Sequence, residues 1–136
     1  MRILTLVTAA LFASSCADTL SAPSVPDGVV GSWELRSLQL AGQPAVTVEP
    51  GRYTADFTAD GSLTVRADCN RCSGSYSSSG SSLEIDELAC TRAYCGDASF
   101  SDLYSLGLDG AVSFQRSGAS LAIRYGSGSL LFTQVP

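Results

Sequence analysis

Residues 69–95, CNRCSGSYSSSGSSLEIDELACTRAYC, contain four of the five cysteines in this chain of 136 residues. The fifth, Cys16, follows directly on an apolar N-terminal stretch. Closely spaced cysteines in even number are typical of small disulfide-braced domains outside the cytoplasm. The stretch therefore predicts two disulfides in a small β domain that folds in an oxidising compartment, formed by Cys69, Cys72, Cys90 and Cys95.

The spacing of these cysteines leaves two pairings open. If Tyr76 pairs with Leu83 across the serine-rich turn, the same strand register places Cys69 opposite Cys90. This register favours two bridges, Cys69 with Cys90 and Cys72 with Cys95. The alternative is Cys69 with Cys95 and Cys72 with Cys90, and in either case each bridge would stabilise the fold by about 3 kcal/mol in the chain-entropy model.

The segment 69–72 is formally a CxxC motif, which raises two other chemistries. Disulfide oxidoreductases place this motif at a helix N-terminus, whereas here it leads into Ser73-Gly74-Ser75-Tyr76, a turn and strand sequence. A zinc site built from all four cysteines is the other alternative, but such sites belong mainly to reducing compartments. We therefore expect structural disulfides, with no redox site, no metal ion and no cofactor.

The N-terminus predicts export and lipid attachment. Arg2 precedes an apolar run over 3–13, which is shorter than the roughly 20 residues of a membrane-spanning helix and is typical of a signal peptide. The run ends in Ala13-Ser14-Ser15-Cys16, which resembles the bacterial lipobox, although Ala13 stands where Leu is favoured. We predict a lipoprotein signal peptide over 1–15 with Cys16 as the lipidated first residue, and cleavage by a conventional signal peptidase as the alternative.

Residues 16–29 are predicted to be the lipid anchor and a flexible linker, because this segment is rich in Pro, Ser and Ala and lacks apolar periodicity. No signal for retention in the inner membrane follows Cys16. We therefore expect a lipid-anchored protein of the cell envelope, in the outer membrane, facing the periplasm or the exterior. Its partners would be the membrane, through the lipid, and an envelope protein or small ligand that the sequence does not identify.

Composition excludes several classes of function. The chain has 8 Lys and Arg against 13 Asp and Glu, a net charge of −5, which argues against nucleic acid as a partner. Every basic residue is Arg, so there is no Ser-His-Asp triad, Cys-His pair, Schiff-base lysine or P-loop lysine. Glu84 and Asp86 would share one strand face, but solvent exposure explains them more simply than hydrolysis. We expect that the protein is not an enzyme.

From Gly31 onward, apolar and polar residues alternate with the period of two that is typical of half-buried strands. A three-residue loop at 59–61 would place Phe57 opposite Leu63, and a two-residue loop at 117–118 would place Phe114 opposite Leu121. One segment has helical spacing instead, at Phe100, Leu103 and Tyr104, with Asp97 or Ser99 as N-cap and Gly107 as the stop. The pattern predicts a mostly β domain (β-rich α+β) over 30–136, a curled antiparallel meander or partly closed barrel with one short helix.

Several short motifs follow one another in this domain: Trp33-x-Leu35, Asp68-Cys69-Asn70, Gly74-x-Tyr76, Leu83-x-Ile85, Thr91-Arg92-Ala93-Tyr94-Cys95 and Leu131-Phe132. In this order they resemble the META domain of HslJ-like bacterial envelope proteins, a family with many lipoproteins, across residues 30–134. Asp68 stands where that family usually has Gly, Ala93 where Met is common, and Cys72 and Cys90 are additional. The resemblance implies a small antiparallel β domain with one helix and brings no established catalytic residues.

Two functions fit these observations. The first is a non-catalytic, lipid-anchored envelope domain that works by protein contact or by supporting the envelope, with the family's loose link to stress responses. The alternative is a small-molecule or lipid-binding barrel. A filled interior would favour the first function and a ligand-sized cavity the second, because the same aromatic residues would either fill a core or line a pocket: Trp33, Tyr53, Phe57, Phe114, Tyr125 and Phe132.

Overall fold

The structure, a computed structural model, describes residues 28–136. The predicted signal peptide, Cys16 and residues 17–27 of the predicted linker lie outside the described residues. The described part contains ten strands and one helix, in the order β1 (Gly31–Gln39), β2 (Val46–Thr47), β3 (Tyr53–Phe57), β4 (Ser62–Ala67), β5 (Asn70–Ser79), β6 (Ser82–Ile85), β7 (Ala89–Cys90), α1 (Ser101–Asp109), β8 (Ala111–Ser117), β9 (Ser120–Tyr125) and β10 (Gly128–Gln134).

Eight of the strands form a closed antiparallel barrel. Their order around the wall is β1, β3, β4, β5, β6, β8, β9 and β10, and β10 pairs back with β1 through a register that includes Leu35 with Phe132. The short strands β2 and β7 lie outside this path, paired with β1 and β5. The predicted fold class, a mostly β antiparallel barrel with one short helix, is confirmed.

Alternating side chains from these strands fill the interior of the barrel. In β4 every second residue is buried, as the period of two predicted. Five of the six aromatic residues that could have lined a pocket are buried in one apolar core, and Tyr125 packs against it partly buried. The interior is therefore a core of packed side chains, to which α1 contributes Tyr104 and Leu108.

The two ends of the barrel carry different elements. We call the end with the start of β1, the β3–β4, β5–β6 and β8–β9 turns and the C-terminus the N-terminal end, and the end with α1, the β4–β5 turn and both disulfides the helix end. Arg116 holds the chain at the N-terminal end by donating to the carbonyl oxygens of Gly28 (3.0 Å) and Val30 (3.3 Å), with its guanidinium 4.9 Å from the centre of the Trp33 ring. Val29, the last residue of the predicted linker, is fully buried.

One predicted hairpin register is confirmed and another is wrong. In the β3–β4 hairpin, Phe57 pairs with Leu63 and Gly61 has φ +87°, as the three-residue loop requires. In the β8–β9 hairpin, Phe114 pairs with Ile123 instead of Leu121. The loop there begins at Gly118 (φ +57°), because type II′ turns place glycine at the first central position.

The structure corrects the favoured disulfide pairing. It joins Cys69 with Cys95 and Cys72 with Cys90, with Cα atoms 5.6 Å and 4.0 Å apart. The β5–β6 loop consists of residues 80–81, so Tyr76 pairs with Ile85 and not with Leu83. An irregular segment after β6 shifts the register by one more residue, which brings Cys90 opposite Cys72.

The helix α1 covers the helix end of the barrel and extends beyond its predicted stop. The predicted N-caps, Asp97 and Ser99, are wrong: Phe100 occupies the N-cap position and makes no side-chain cap hydrogen bond, although the Ser101 N–H donates to Ser99 Oγ at 3.2 Å. Gly107 lies inside the helix, where a Cβ atom would come within 3.1 Å of the Tyr125 ring. Glycine at this position therefore permits close packing of α1 on the barrel, and the helix ends before Gly110.

The β4–β5 loop carries the one non-glycine residue of 28–136 with positive φ, Asp68, at φ +60°. An L-residue is strained in this region, and Asp68 stands at the position where the resemblance to the META family implies glycine. Its side chain, 11% exposed, accepts two hydrogen bonds from Arg52, at 3.1 Å to Nε and 2.7 Å to Nη2. The ion pair with Arg52 therefore stabilises a turn conformation that the backbone alone disfavours.

We predict that Asp68 makes the stability of the fold depend on pH. Burial acts to raise the pKa of Asp68, but hydrogen bonds to Ser99 and Arg52 outweigh it and lower the pKa below its ordinary value. A carboxyl whose pKa is lowered by folding stabilises the fold above its unfolded pKa of about 3.9, and this contribution is lost as the pH falls through the folded pKa. Urea unfolding should therefore show the wild type more stable than Asp68→Asn at neutral pH. The difference between their free energies of unfolding should become smaller below about pH 4. A difference in the free energy of unfolding that stays constant with pH would contradict stabilisation by the ionised side chain of Asp68.

Candidate functional site

The barrel wall is split along one seam, where residues 82–94 face residues 101–113. Neighbouring wall strands elsewhere share at least four residue pairs. Between β6 and β8 the described residues form a single pair, Ser82 with Ser113, extended by a bond from the Phe114 N–H to the Ser81 carbonyl at 2.8 Å. Beyond this pair the two sides diverge, and the Leu88 N–H reaches across to Asp109 Oδ1 at 2.9 Å.

Two cavities lie along the seam. The smaller, which we call the wall cleft, has a volume of about 420 Å³ and lies between the β5–β6 hairpin and the start of β8. The larger, which we call the helix groove, has a volume of about 600 Å³ and is lined by residues of the β5–β7 region, the segment 90–94 and α1. The helix groove contains more charged side chains than the wall cleft. Its lining residues are Asn70, Cys72, Glu87, Leu88, Cys90, Thr91, Arg92, Ala93, Tyr94, Ser101, Asp102, Ser105, Leu106 and Asp109.

Asn70 holds the strand side of the helix groove in place. Its Oδ1 accepts from the Ala93 N–H at 2.7 Å and from Thr91 Oγ1 at 2.9 Å. Its Nδ2 donates to the Ala93 carbonyl at 3.0 Å and to Ser101 Oγ at 3.1 Å. One buried amide therefore extends the pairing edge of β5 beyond the strand and ties it to the first turn of α1.

Along the segment 90–94, one edge of the main chain is therefore hydrogen-bonded to β5 and the other edge is unpaired within residues 28–136. Thr91 and Ala93 bond inward, to the Arg71 carbonyl and to Asn70. Residues 91–94 lie beyond the end of β7 at Cys90, but the alternating bonds of Thr91 and Ala93 follow the pattern of a strand, in which Arg92 and Tyr94 would present their main-chain groups outward. Neither of their N–H groups hydrogen-bonds to any residue of 28–136. The helix groove is therefore bounded by the unpaired N–H groups of Arg92 and Tyr94, which continue the line of β7 and which we call the strand edge, and such a row of main-chain groups can accept another strand.

The other wall of the helix groove is the outer face of α1. Asp102, Ser105, Leu106 and Asp109 line the groove, while Tyr104 on the opposite face is buried in the barrel. Leu106 is 65% exposed, and Tyr94 across the groove is 79% exposed. Three carboxylates against one guanidinium give the groove a net charge of −2, contributed by Glu87, Asp102, Asp109 and Arg92.

The core contains one polar side-chain atom without a partner among residues 28–136, the hydroxyl of Tyr104. Its ring contacts Tyr53 edge to face, with centroids 5.5 Å apart. Burial, aided by the negative charge of Asp56, raises the pKa of Tyr104 well above its ordinary value, so the hydroxyl keeps its proton at neutral pH. Within residues 28–136, this hydroxyl is the buried side-chain polar atom that is left without a partner and so is free to bind a ligand or a water molecule.

The structure disperses most of the site residues that the sequence predicted. The four cysteines are bonded in pairs, and in residues 28–136 no group of three or more His, Cys, Asp or Glu side chains is placed to hold a metal ion. Asp86 accepts a hydrogen bond from Ser75, while Glu84 is exposed beside the wall cleft. Over the described range there is also no helix with the length and hydropathy of a membrane span. The sequence reasoning missed the role of Asn70, for which the only signal was its place in a family motif.

Comparisons with known proteins agree with this architecture. The family model described as META domain matches residues 28–135. An NMR structure of a protein from Burkholderia xenovorans superposes with a TM-score of 0.63 at 23% identity, covering 77% of this chain and 81% of that one. A lipocalin-like protein from Bacteroides uniformis superposes with a TM-score of 0.54 at 22% identity, covering 78% of this chain and 97% of that one. A DUF4847 family protein from Bacteroides vulgatus gives 0.56 at 13% identity, with 76% and 92% coverage. No curated protein sequence matches the chain.

We predict that replacing Tyr104 with Phe leaves the fold as stable as the wild type or more stable. A buried hydroxyl without a partner costs about 1–3 kcal/mol, and Phe removes that cost while keeping the ring. Tyr53→Phe is the matched control, because Tyr53 Oη accepts from the Phe100 N–H at 2.9 Å and its loss should destabilise the fold by about 1 kcal/mol. Thermal or urea unfolding measures both, and a Tyr104→Phe variant that is clearly less stable would mean that the hydroxyl binds something inside the barrel.

Proposed function

The chain belongs to the META domain family, and from this premise we propose that it is a non-catalytic binding module of the cell envelope, which takes an extended segment of a partner protein into the helix groove. The observation that carries the proposal is the unpaired edge at Arg92 and Tyr94, which faces a helix wall across a cavity of about 600 Å³. Main-chain hydrogen bonds to such an edge bind a peptide in extended form.

The filled interior favours binding in a groove on the surface rather than in a pocket inside the barrel. Trp33, Tyr53, Phe57, Tyr104 and Phe132 are all at most 2% exposed and occupy the space that a lipocalin-like ligand would need. A ligand inside would have to displace these side chains, whereas the helix groove is already open. The lack of His and Lys throughout the chain supports a role in binding over catalysis.

The cellular location is proposed on the sequence and on the disulfides. Two disulfides favour an oxidising compartment, and the lipobox-like sequence ending at Cys16 favours attachment to a membrane through lipid. Residues 28–30 leave the barrel at the N-terminal end, opposite to α1. A lipid on Cys16 would therefore be attached through the end of the barrel opposite to the helix groove, by a linker of eleven residues that reaches at most about 35 Å.

A small-molecule-binding barrel is the second candidate, and two observations favour it. One is the Tyr104 hydroxyl, a buried donor with no partner in residues 28–136. The other is the likeness of the fold to a lipocalin-like protein, which at 22% identity concerns the fold alone. A ligand would enter through the wall cleft, where β6 and β8 share one residue pair.

Peptide titration followed by NMR distinguishes the two candidates. The neutral β-forming peptide Ac-TVTVTV-NH2, added to ¹⁵N-labelled protein as processed by the expressing cell and kept in detergent, should shift the amide signals of Arg92, Tyr94 and Leu106. Arg92→Pro should abolish these shifts, because proline removes the outward N–H, and Arg92→Ala should preserve them. Shifts confined to interior residues such as Ile123 and Leu130, on adding a fatty acid, would instead support the small-molecule barrel.

Intact mass of the mature protein tests the proposed anchor. Expression in a Gram-negative host should give a chain that begins at Cys16 and carries the added mass of a lipid. Cys16→Ser should remove that mass and release the protein from the membrane fraction. An unmodified chain that begins at another residue would overturn the lipid anchor and leave conventional secretion.

A further inference from the structure

We infer that the helix groove selects an extended segment with an arginine or lysine side chain directed at α1; this inference rests on the proposed function and specifies the chemistry of the partner. Two independent features of the groove converge on it. The strand edge would fix the main chain of the segment, and the carboxylates of α1 would recognise its side chain.

The carboxylates of the groove lack cationic partners of their own. The ion pairs within residues 28–136 are Arg36 with Glu34 and Arg52 with Glu49 and Asp68, so none involves Glu87, Asp102 or Asp109. Asp109 uses Oδ1 to accept from the Leu88 N–H, which leaves its second oxygen for a partner. A bound cation would therefore satisfy charges that the fold leaves unpaired.

The spacing of the acids suits one long basic side chain. Asp102 and Asp109 are seven residues apart on α1, which is two turns and about 10 Å along the axis. A guanidinium or ammonium placed over Ser105, midway between them, would lie about 5 Å along the axis from each. Lysine and arginine have apolar stems that would cover Leu106, which is 65% exposed.

The two walls of the helix groove have similar lengths, which predict the length of the bound partner segment. The segment 90–94, of which Cys90 belongs to β7, would span about 17 Å if fully extended, and the nine residues of α1 extend about 14 Å. A segment of five or six residues would span both walls. Tyr94, at the end of the strand edge and 79% exposed, would pack against its apolar residues.

Fluorescence anisotropy with three labelled peptides tests the inference on the processed protein in detergent. We expect Ac-TVRVTV-NH2 to bind about fivefold more tightly than Ac-TVTVTV-NH2, and Ac-TVEVTV-NH2 to bind more weakly than either, as exposed ion pairs allow. Raising the salt from about 0.05 M to about 0.5 M should remove most of the difference.

Matched variants show which side chains produce the preference for the arginine peptide. Asp102→Asn and Asp109→Asn should each lower the preference for the arginine peptide about twofold, and the amide oxygen in Asp109→Asn still accepts from Leu88. Glu84→Gln, an exposed carboxylate outside the helix groove, should leave the preference unchanged. Arg92→Ala should tighten binding of the arginine peptide, since it removes the one cation of the groove, whereas Arg92→Pro should abolish it.

The outcomes separate the inference from the proposed function. Equal affinities for the three peptides, all abolished by Arg92→Pro, would overturn the preference for a basic side chain and leave strand addition standing. Binding of the arginine peptide that Arg92→Pro does not weaken would overturn the inference, because the cation would then be held elsewhere. The absence of binding by all three peptides would overturn both.

Discussion

The pairing of β5 with β7 is the constraint on which the seam and its groove depend. The Cys72–Cys90 bridge joins residues directly opposite each other, with Cα atoms 4.0 Å apart, close to the separation of a non-hydrogen-bonded antiparallel pair. The bridge Cys69–Cys95 and the side chain of Asn70 continue this attachment toward α1. Because the segment 89–95 is fastened to β5 while β8 diverges from it, its outer edge stays unpaired. The groove is thus a consequence of how the wall is closed.

The fold was predictable because alternation of apolar residues depends only on neighbours in the chain. The β3–β4 hairpin was predicted correctly, since a three-residue loop ending at Gly61 puts Phe57 and Leu63 on one face. The β5–β6 and β8–β9 hairpins were not, because their loops lie among serines that fit a strand or a turn equally well. In both, glycine takes the first loop position, at Gly80 and Gly118. In the β5–β6 hairpin this displacement, together with the irregularity after β6, was enough to exchange the partners of the cysteines.

The candidate site was much less predictable from sequence. Asn70 contacts residues 21 to 31 positions away in the chain, and no local pattern reports such contacts. In the sequence, the acidic residues of α1 are typical of an ordinary solvent-exposed helix face. Their proposed role in binding depends on the strand edge that lies opposite. The aromatic residues allowed either a core or a pocket, and only their burial in three dimensions decides for a core. Local sequence therefore specified the elements, and long-range pairing specified the site.

Disulfide mapping without reduction tests the central claim, that β5 and β7 are held in this register. Trypsin cuts after Arg66, Arg71, Arg92 and Arg116, which places Cys69 in 67–71, both Cys72 and Cys90 in 72–92, and Cys95 in 93–116. The account predicts peptide 72–92 alone with an internal bridge, lighter by two hydrogens than its reduced form, and peptide 67–71 linked to 93–116. A single species in which all three peptides are linked would contradict the register, and with it the open strand edge and the groove.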